Sequence, residues 1–200
     1  YMSVKPKRDD IKSVFAGLRP LAATSNKQST KEVSRSHKID ISPSGLISVL
    51  GGKWTTYRKI AEDALNTAIS INKLKKKKCR TEKTKLFGFK RNVNWSDPMH
   101  VYGSMKKKVE SLGGVNDNKS LSKKFYVSNN IIEWSIIHEM ALTVEDILAR
   151  RTRCVFLDSK ESKRIAPVVA QKMADVLGED DKWIDAELKK FNKLIKNYIV

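Results

Sequence analysis

The chain has 200 residues, 40% of them hydrophobic, which is enough for one or two packed domains. No apolar run approaches the ~20 residues that a membrane-spanning helix requires, and the supply of Ile, Leu and Val excludes a wholly disordered chain. A net charge of +18 first raises a nucleic-acid or anionic-surface partner.

In chain order, residues 9–14 alternate polar and apolar side chains like a half-buried strand, and Gly17 and Pro20 then break direction. Residues 22–34 read as a polar loop. His37 to Ile41 alternates again, Ser42-Pro43-Ser44-Gly45 reads as a turn, and Leu46 to Leu50 fits a buried strand that Gly51-Gly52 ends. From Trp54 a helix is predicted, because Tyr57, Ile60, Ala61, Ala64, Leu65, Ala68 and Ile69 recur at helical spacing. This succession is the end of an α/β or α+β domain rather than a whole one.

The second half has a different pattern. Asp97-Pro98 opens a helix that Gly113-Gly114 stops. Ile132, Ile136 and Met140 share a face over residues 130–141. Thr143 and Asp146 read as an N-cap with an acid three residues on, opening a helix over Ile147 to Arg151. Ile165, Val168, Val169, Met173 and Val176 line one side of residues 160–177, which Gly178 ends. Ile184, Leu188, Phe191, Ile195 and Tyr198 do the same for residues 182–198. The expectation is a helical domain after a boundary near residues 72–95.

The charge follows these divisions. Residues 1–70 hold 12 basic and 6 acidic side chains, residues 71–130 hold 16 and 4, and residues 131–200 hold 12 of each. The excess sits in a Lys- and Asn-rich middle third, chiefly Lys75–Lys78 and Lys106–Lys108, which reads as solvated loops or helix-end extensions. No nucleic-acid-binding motif accompanies it and no aromatics interleave with the Lys runs. No nucleic-acid partner is expected, and a basic module for nucleic acid or an anionic surface is the alternative outside the enzyme class. Cys79 and Cys154 form no CxxC; the first reads as exposed, the second as small and buried. His37, His100 and His138 are isolated, so no metal centre is expected. The chain opens on Tyr1 and carries no signal-peptide pattern, which reads as a piece of a longer protein.

Three clusters carry chemistry. In Leu50-Gly-Gly-Lys-Trp-Thr-Thr-Tyr-Arg58 a strand runs through two glycines into a helix. The glycines admit close approach to the backbone, and the helix N-terminus offers unpaired N–H groups with about half a positive charge. Lys53 adds a full charge, while Thr55 and Thr56 add hydroxyls, so the segment can cradle an anion or a carbonyl oxygen. It is not a Walker P-loop, and a plain glycine turn with a Thr cap is the competing reading. Arg19 and Arg35 lie in loops beside strands, where with Lys53 they could meet on one phosphate or carboxylate. Arg150, Arg151 and Arg153 crowd a predicted helix end, with Glu145, Asp146 and Asp158 as partners in an ion-pair network.

Phe-Ala-Gly-Leu-Arg-Pro-Leu (15–21), Ser-Arg-Ser-His (34–37), the segment 45–64 and Glu-Asp-Ile-Leu-Ala-Arg-Arg-Thr-Arg (145–153) together resemble the C-terminal part of FAD-dependent glycerol-3-phosphate dehydrogenases. Ala166-Pro-Val-Val-Ala and the stretch from Met173 to Trp183 fit as well, and the resemblance covers nearly the whole chain. It implies an α+β arrangement: the closing strands and helix of an FAD-binding oxidoreductase domain over residues 1–74, a linker over 75–95, and a small all-helical C-terminal domain over 96–200. None of the nine glycines forms a Gly-x-Gly, so the turn that holds the ADP part of FAD is expected upstream.

The reaction this implies is oxidation of sn-glycerol 3-phosphate to dihydroxyacetone phosphate, with FAD as cofactor and a quinone as electron acceptor. An oxidase using oxygen is the alternative within the class. By resemblance Arg19 stands at the substrate and flavin as the catalytic residue. Arg19, Arg35 and Lys53 bind substrate, and Gly51, Gly52, Lys53, Thr55 and Thr56 address the flavin. The proton-accepting base is expected upstream rather than at His37. Peripheral attachment to the mitochondrial inner membrane follows, or to a bacterial cytoplasmic membrane, and the resemblance leaves room for a homodimer. The fragment alone is expected to be inactive.

Overall fold

The structure, a computed structural model, describes residues 3–18 and 37–199. They group into two units, Gly17–Leu86, and Tyr1–Ala16 together with Phe87–Val200.

In the first unit, β1 (His37–Ile41) and β2 (Ile47–Gly51) form an antiparallel ribbon with His37 opposite Gly51 and Ile41 opposite Ile47. The predicted turn joins them: the Gly45 N–H donates to Ser42 O at 2.9 Å, and the Leu46 N–H donates to Ser42 Oγ at 3.1 Å. A 3-10 turn, Trp54–Thr56, leads into α1 (Tyr57–Ile71). The strand expected over residues 46–50 is present but not buried, with Val49 and Leu50 41% and 46% exposed. Among the described residues β2 has only β1 beside it, and α1 meets the ribbon at its glycine end. Residues 75–97 run as turns and irregular chain, with Lys75–Lys78 exposed as their composition predicts.

The second unit is helical. Asp97 caps a 3-10 run, Pro98–Met105, by accepting the Met99 N–H at 2.9 Å, with Pro98 at the first position as predicted. The run kinks at Gly103 and continues as α2 (Lys106–Glu110). Lys106–Lys108 are therefore helical, the second of the two readings of that run, and Lys106 Nζ bridges Asp97 at 2.5 Å and Glu110 at 3.3 Å. Ser128 caps α3 (Asn129–Glu139), which sends Ile132 into one core and Ile131 with Trp134 into another. Met140 does not join Ile132 and Ile136. The helix ends at Glu139, and Met140 sits 81% exposed in a left-handed turn at φ 57°.

A π-helix, Asp146–Arg151, and the short α4 (Cys154–Leu157) precede α5 (Ser159–Leu177) and α6 (Asp181–Ile195). The larger core gathers Val144, Ile147, Leu148, Ile165, Val169, Met173, Phe191 and Ile195, largely the residues whose spacing predicted them. Val168 departs from this on α5, lying 51% exposed beside the buried stripe, and Val176 is only half-buried. Gly178 ends α5 in the left-handed conformation at φ 75°.

The strand expected over residues 9–14 is not formed. Arg8–Asp10 is a 3-10 turn, Ile11 after it is extended, and the chain takes its hydrogen bonds from the helical unit. Lys12 O accepts the Ser159 N–H at 3.0 Å and its hydroxyl at 2.9 Å, and the Val14 N–H donates to Tyr198 O at 3.0 Å. Phe15 meets Phe156 edge to face at 5.1 Å. The partners are the start of α5 and Tyr198 rather than a neighbouring strand.

Candidate functional site

The turn between β2 and α1 needs its two glycines. Gly51 and Gly52 have φ of 74° and 92°, a region that side chains disfavour. A Cβ on Gly52 would also lie 2.6 Å from Ile60 Cδ1 and 3.4 Å from His37 Cβ. The glycine thus lets helix, turn and strand close on one another.

The helix start beyond it is not capped by a side chain. Neither Lys53 ahead of the 3-10 turn nor Thr56 ahead of α1 makes a side-chain cap bond. The Thr56 N–H and hydroxyl both donate to Lys53 O at 3.0 Å, which spends the hydroxyl proton inside the turn. Lys53, Thr55 and Thr56 are exposed, and Trp54 stacks on Tyr57 at 5.7 Å. An uncapped first turn beside a cation attracts an electron-rich group.

Arg19 and Arg35 lie outside the described residues. Of the proposed cationic set only Lys53 is placed. His37 Nε2 donates to Asp63 Oδ2 at 3.1 Å, and Lys59 Nζ holds the other carboxylate oxygen at 2.7 Å. Lys59 first, with a smaller contribution from His37, keeps the Asp63 carboxyl below its usual range. Asp63 did not stand out in the sequence. Its signal is position: three residues past Ile60, it shares the helix face that meets the glycine turn.

The opposite face of α1 lines an open trough of about 1150 Å³ with residues 75–86, floored by Ala61, Leu65, Ile69 and Leu86. Arg58 there is committed to Glu62 at 2.9 Å and Glu82 at 3.6 Å.

The arginine cluster acts within the helical unit. Thr143 and Asp146 cap each other: the Asp146 N–H donates to Thr143 Oγ1 at 3.1 Å, and the Thr143 N–H to Asp146 Oδ2 at 3.0 Å. Arg150 pairs with Glu145 at 2.6 Å and Asp146 at 2.9 Å, as the sequence suggests. Arg151 binds the Glu139 carbonyl at the end of α3 and its carboxylate at 3.5 Å. Asp158 is instead the cap of α5 and pairs with Lys124 at 2.6 Å. Arg153 is exposed in a left-handed conformation at φ 59°. Among the described residues no three His, Cys, Asp or Glu side chains group as metal ligands, and no helix is long and apolar enough to cross a membrane.

Residues 47–184, which include the uncapped turn and the arginine cluster, match the family of the C-terminal domain of alpha-glycerophosphate oxidase. Mitochondrial glycerol-3-phosphate dehydrogenase of Bos taurus is 31% identical over 98% of the chain and 30% of its own length. The human protein of that name is 30% identical over the same shares, 98% and 30%. The Arabidopsis thaliana one is 27% identical over 100% of the chain and 36% of its length. The chain thus spans about a third of the length of the curated relatives it matches. By the matched segment and these relatives, the chain belongs to the glycerophosphate oxidase and glycerol-3-phosphate dehydrogenase family and carries its C-terminal domain.

Proposed function

We propose that this chain is the C-terminal part of an FAD-dependent enzyme that oxidises sn-glycerol 3-phosphate to dihydroxyacetone phosphate and passes the electrons to a quinone. The observation that supports this best is the uncapped helix start at Lys53–Thr56, set on a glycine turn inside the segment that matches the family. When bound, FAD supplies a two-electron acceptor for the hydride on the substrate's C2.

The residues fit the electron-rich edge of such a ring. Gly51 and Gly52 give the backbone its left-handed turn, and Gly52 lets α1 close on it. The N–H groups of the first turn and the Lys53 ammonium face a region where negative charge would grow, which is where preorganised donors help most. Thr55 contributes a hydroxyl. Thr56 acts by shaping the turn, since its proton is already given to Lys53 O. Arg19, Arg35 and Lys53 bind the substrate, Arg19 beside the flavin and Arg35 with Lys53 at the phosphate or the developing oxyanion. Residues 1–74 are assigned to the close of the flavin domain, with the segment around Lys12 and Val14 packed on the helical domain, 75–95 to a linker and 96–200 to the helical domain. Attachment to the mitochondrial inner membrane from one side agrees with the mitochondrial names of the relatives.

The test is anaerobic addition of glycerol 3-phosphate to the full-length protein. Bleaching of a bound flavin's visible band is expected, and an unbleached or flavin-free protein overturns the reading. Peroxide formation in air, without quinone reduction, would move the assignment to the oxidase. Arg19→Ala should cut turnover about 100-fold while flavin stays bound, and near-normal turnover would remove Arg19 from the site. The 200-residue chain alone should neither hold FAD nor turn over substrate.

A further inference from the structure

We infer that His37 is a positioning residue that, through Asp63, fixes where the donors of the Lys53–Thr56 turn point; this rests on the flavin-facing reading of that turn. Three contacts meet at one place. His37 stands opposite Gly51 at the end of the ribbon. Its Cβ lies 3.4 Å from the Cβ position of Gly52, whose other side is filled by Ile60. Its Nε2 reaches Asp63 Oδ2 at 3.1 Å, one helical turn beyond Ile60 and 26 residues away in sequence.

The imidazole is therefore a strut between β1 and α1. The apolar part of the closure, Ile60 against Gly52, sets how near the helix lies to the turn. It does not stop the helix from sliding or rotating about that contact. A polar bond of fixed length to a second point on the same helix face does. The other Asp63 oxygen accepts from Lys59, which favours one orientation of the carboxylate. With two contact points one turn apart, the axis of α1 is set, and with it the direction of the 3-10 turn that leads into it. His37 touches neither substrate nor flavin in this account.

The strut has a chemical consequence. Donors aimed at a ring that gains negative charge on reduction stabilise the reduced form. Loosening the strut should lower the flavin midpoint potential and kcat, while KM for glycerol 3-phosphate changes less, because Arg19 and Arg35, two of the three residues assigned to the substrate, lie outside the turn.

The experiment uses the full-length protein with flavin bound and the variants His37→Ala, His37→Gln, Asp63→Ala and the double alanine variant. His37→Ala is expected to lower kcat about tenfold and KM less than twofold, with a more negative midpoint potential in a dye-coupled titration. The glutamine variant, whose amide can donate to Asp63 from the same place, should recover most of both. The double variant should be no worse than the worse single one, as for two ends of one strut. A His37→Ala enzyme within twofold of the parent in kcat and unshifted in potential overturns the inference, as does a glutamine variant as impaired as the alanine one. If His37→Ala does not hold flavin, Asp63→Ala carries the same test. Lys53→Ala separates this from the wider reading. If it changes potential and turnover while His37→Ala does not, only the strut fails; if neither changes anything, the flavin-facing assignment of the turn fails.

Discussion

The Glu187 carboxylate on α6 accepts the backbone N–H of Val144 at 3.3 Å, across 43 residues of chain. Both residues are buried, at 3% and 0% exposure, and the other Glu187 oxygen is held by Lys190 at 2.7 Å. The last helix thus satisfies a first-turn donor of the segment that carries the arginine cluster. Glu187→Ala leaves that N–H buried without an acceptor and should cost about 2 kcal/mol of stability. Glu187→Gln keeps an acceptor and should cost less than half as much. Urea unfolding midpoints compare the two, and an alanine variant as stable as the parent would show that this contact is idle.

Acid should loosen the helical unit over a defined window. Arg164 donates to both Glu161 oxygens at 2.9 and 2.7 Å, and Ser122 Oγ adds a third bond at 2.5 Å. Arg164 first and Ser122 second hold this carboxyl at about 2, below its ordinary 4.5. Asp158 moves the same way: burial pushes it up, but Lys124 and the Glu161 N–H outweigh that. A carboxyl with a depressed folded value contributes stability above its unfolded value and loses it as pH falls through the folded one. Stability is expected to decline between about pH 4.5 and 2. Glu161→Gln should flatten that slope, and identical slopes for variant and parent would rule out Glu161 as its source.

Gly103→Ala should be among the costly glycine replacements. Gly103 has φ 51° and ψ −117°, and a Cβ there would fall inside the carbonyl of Gly88, whose oxygen also accepts the Ser104 N–H at 2.9 Å. A loss of about 2–3 kcal/mol is expected from backbone strain and overlap together. Gly114→Ala serves as the control, because its Cβ would meet Asp117 Oδ2 only at 3.6 Å, an ordinary contact. Its effect should stay within about 0.5 kcal/mol. Thermal melts of the two variants decide it.

The two thiols should separate in labelling. Cys79 is exposed, with Thr81 Oγ1 at 3.0 Å, while Cys154 is buried and burial pushes its thiol up to about 11. At pH 8 an alkylating reagent should modify Cys79 within minutes and Cys154 only after denaturant is added. Mass spectrometry of the labelled peptides checks this, and early labelling of Cys154 would contradict the packing around α4.

The helical half was legible in the sequence because its stripes face a core that the same half supplies. Ile165, Val169 and Met173 repeat at helical spacing and are all buried. Asp97-Pro98, Thr143 with Asp146, and Gly178 announce helix ends through chemistry that is local to them. The misreadings come from partners that no local pattern encodes. Residues 9–14 alternate like a strand but bond to Ser159 and Tyr198. Leu50 is apolar and extended, yet 46% exposed beside a single neighbouring strand. The glycine turn and the helix start after it were legible, since that chemistry resides in consecutive residues. The link from His37 to Asp63 was not, since it depends on how α1 lies across the ribbon.

The bond from Ser159 to Lys12 closes a loop of 147 residues. Loop closure of that length is slow to repay its entropy, and it sets an order of events during synthesis. When Lys12 leaves the ribosome its partner does not yet exist, and neither does Tyr198, the partner of Val14. The segment around Lys12 must therefore wait unpaired while the intervening chain is made. Its docking is a late step of maturation, and a chain truncated before Tyr198 would expose that segment to proteases and chaperones.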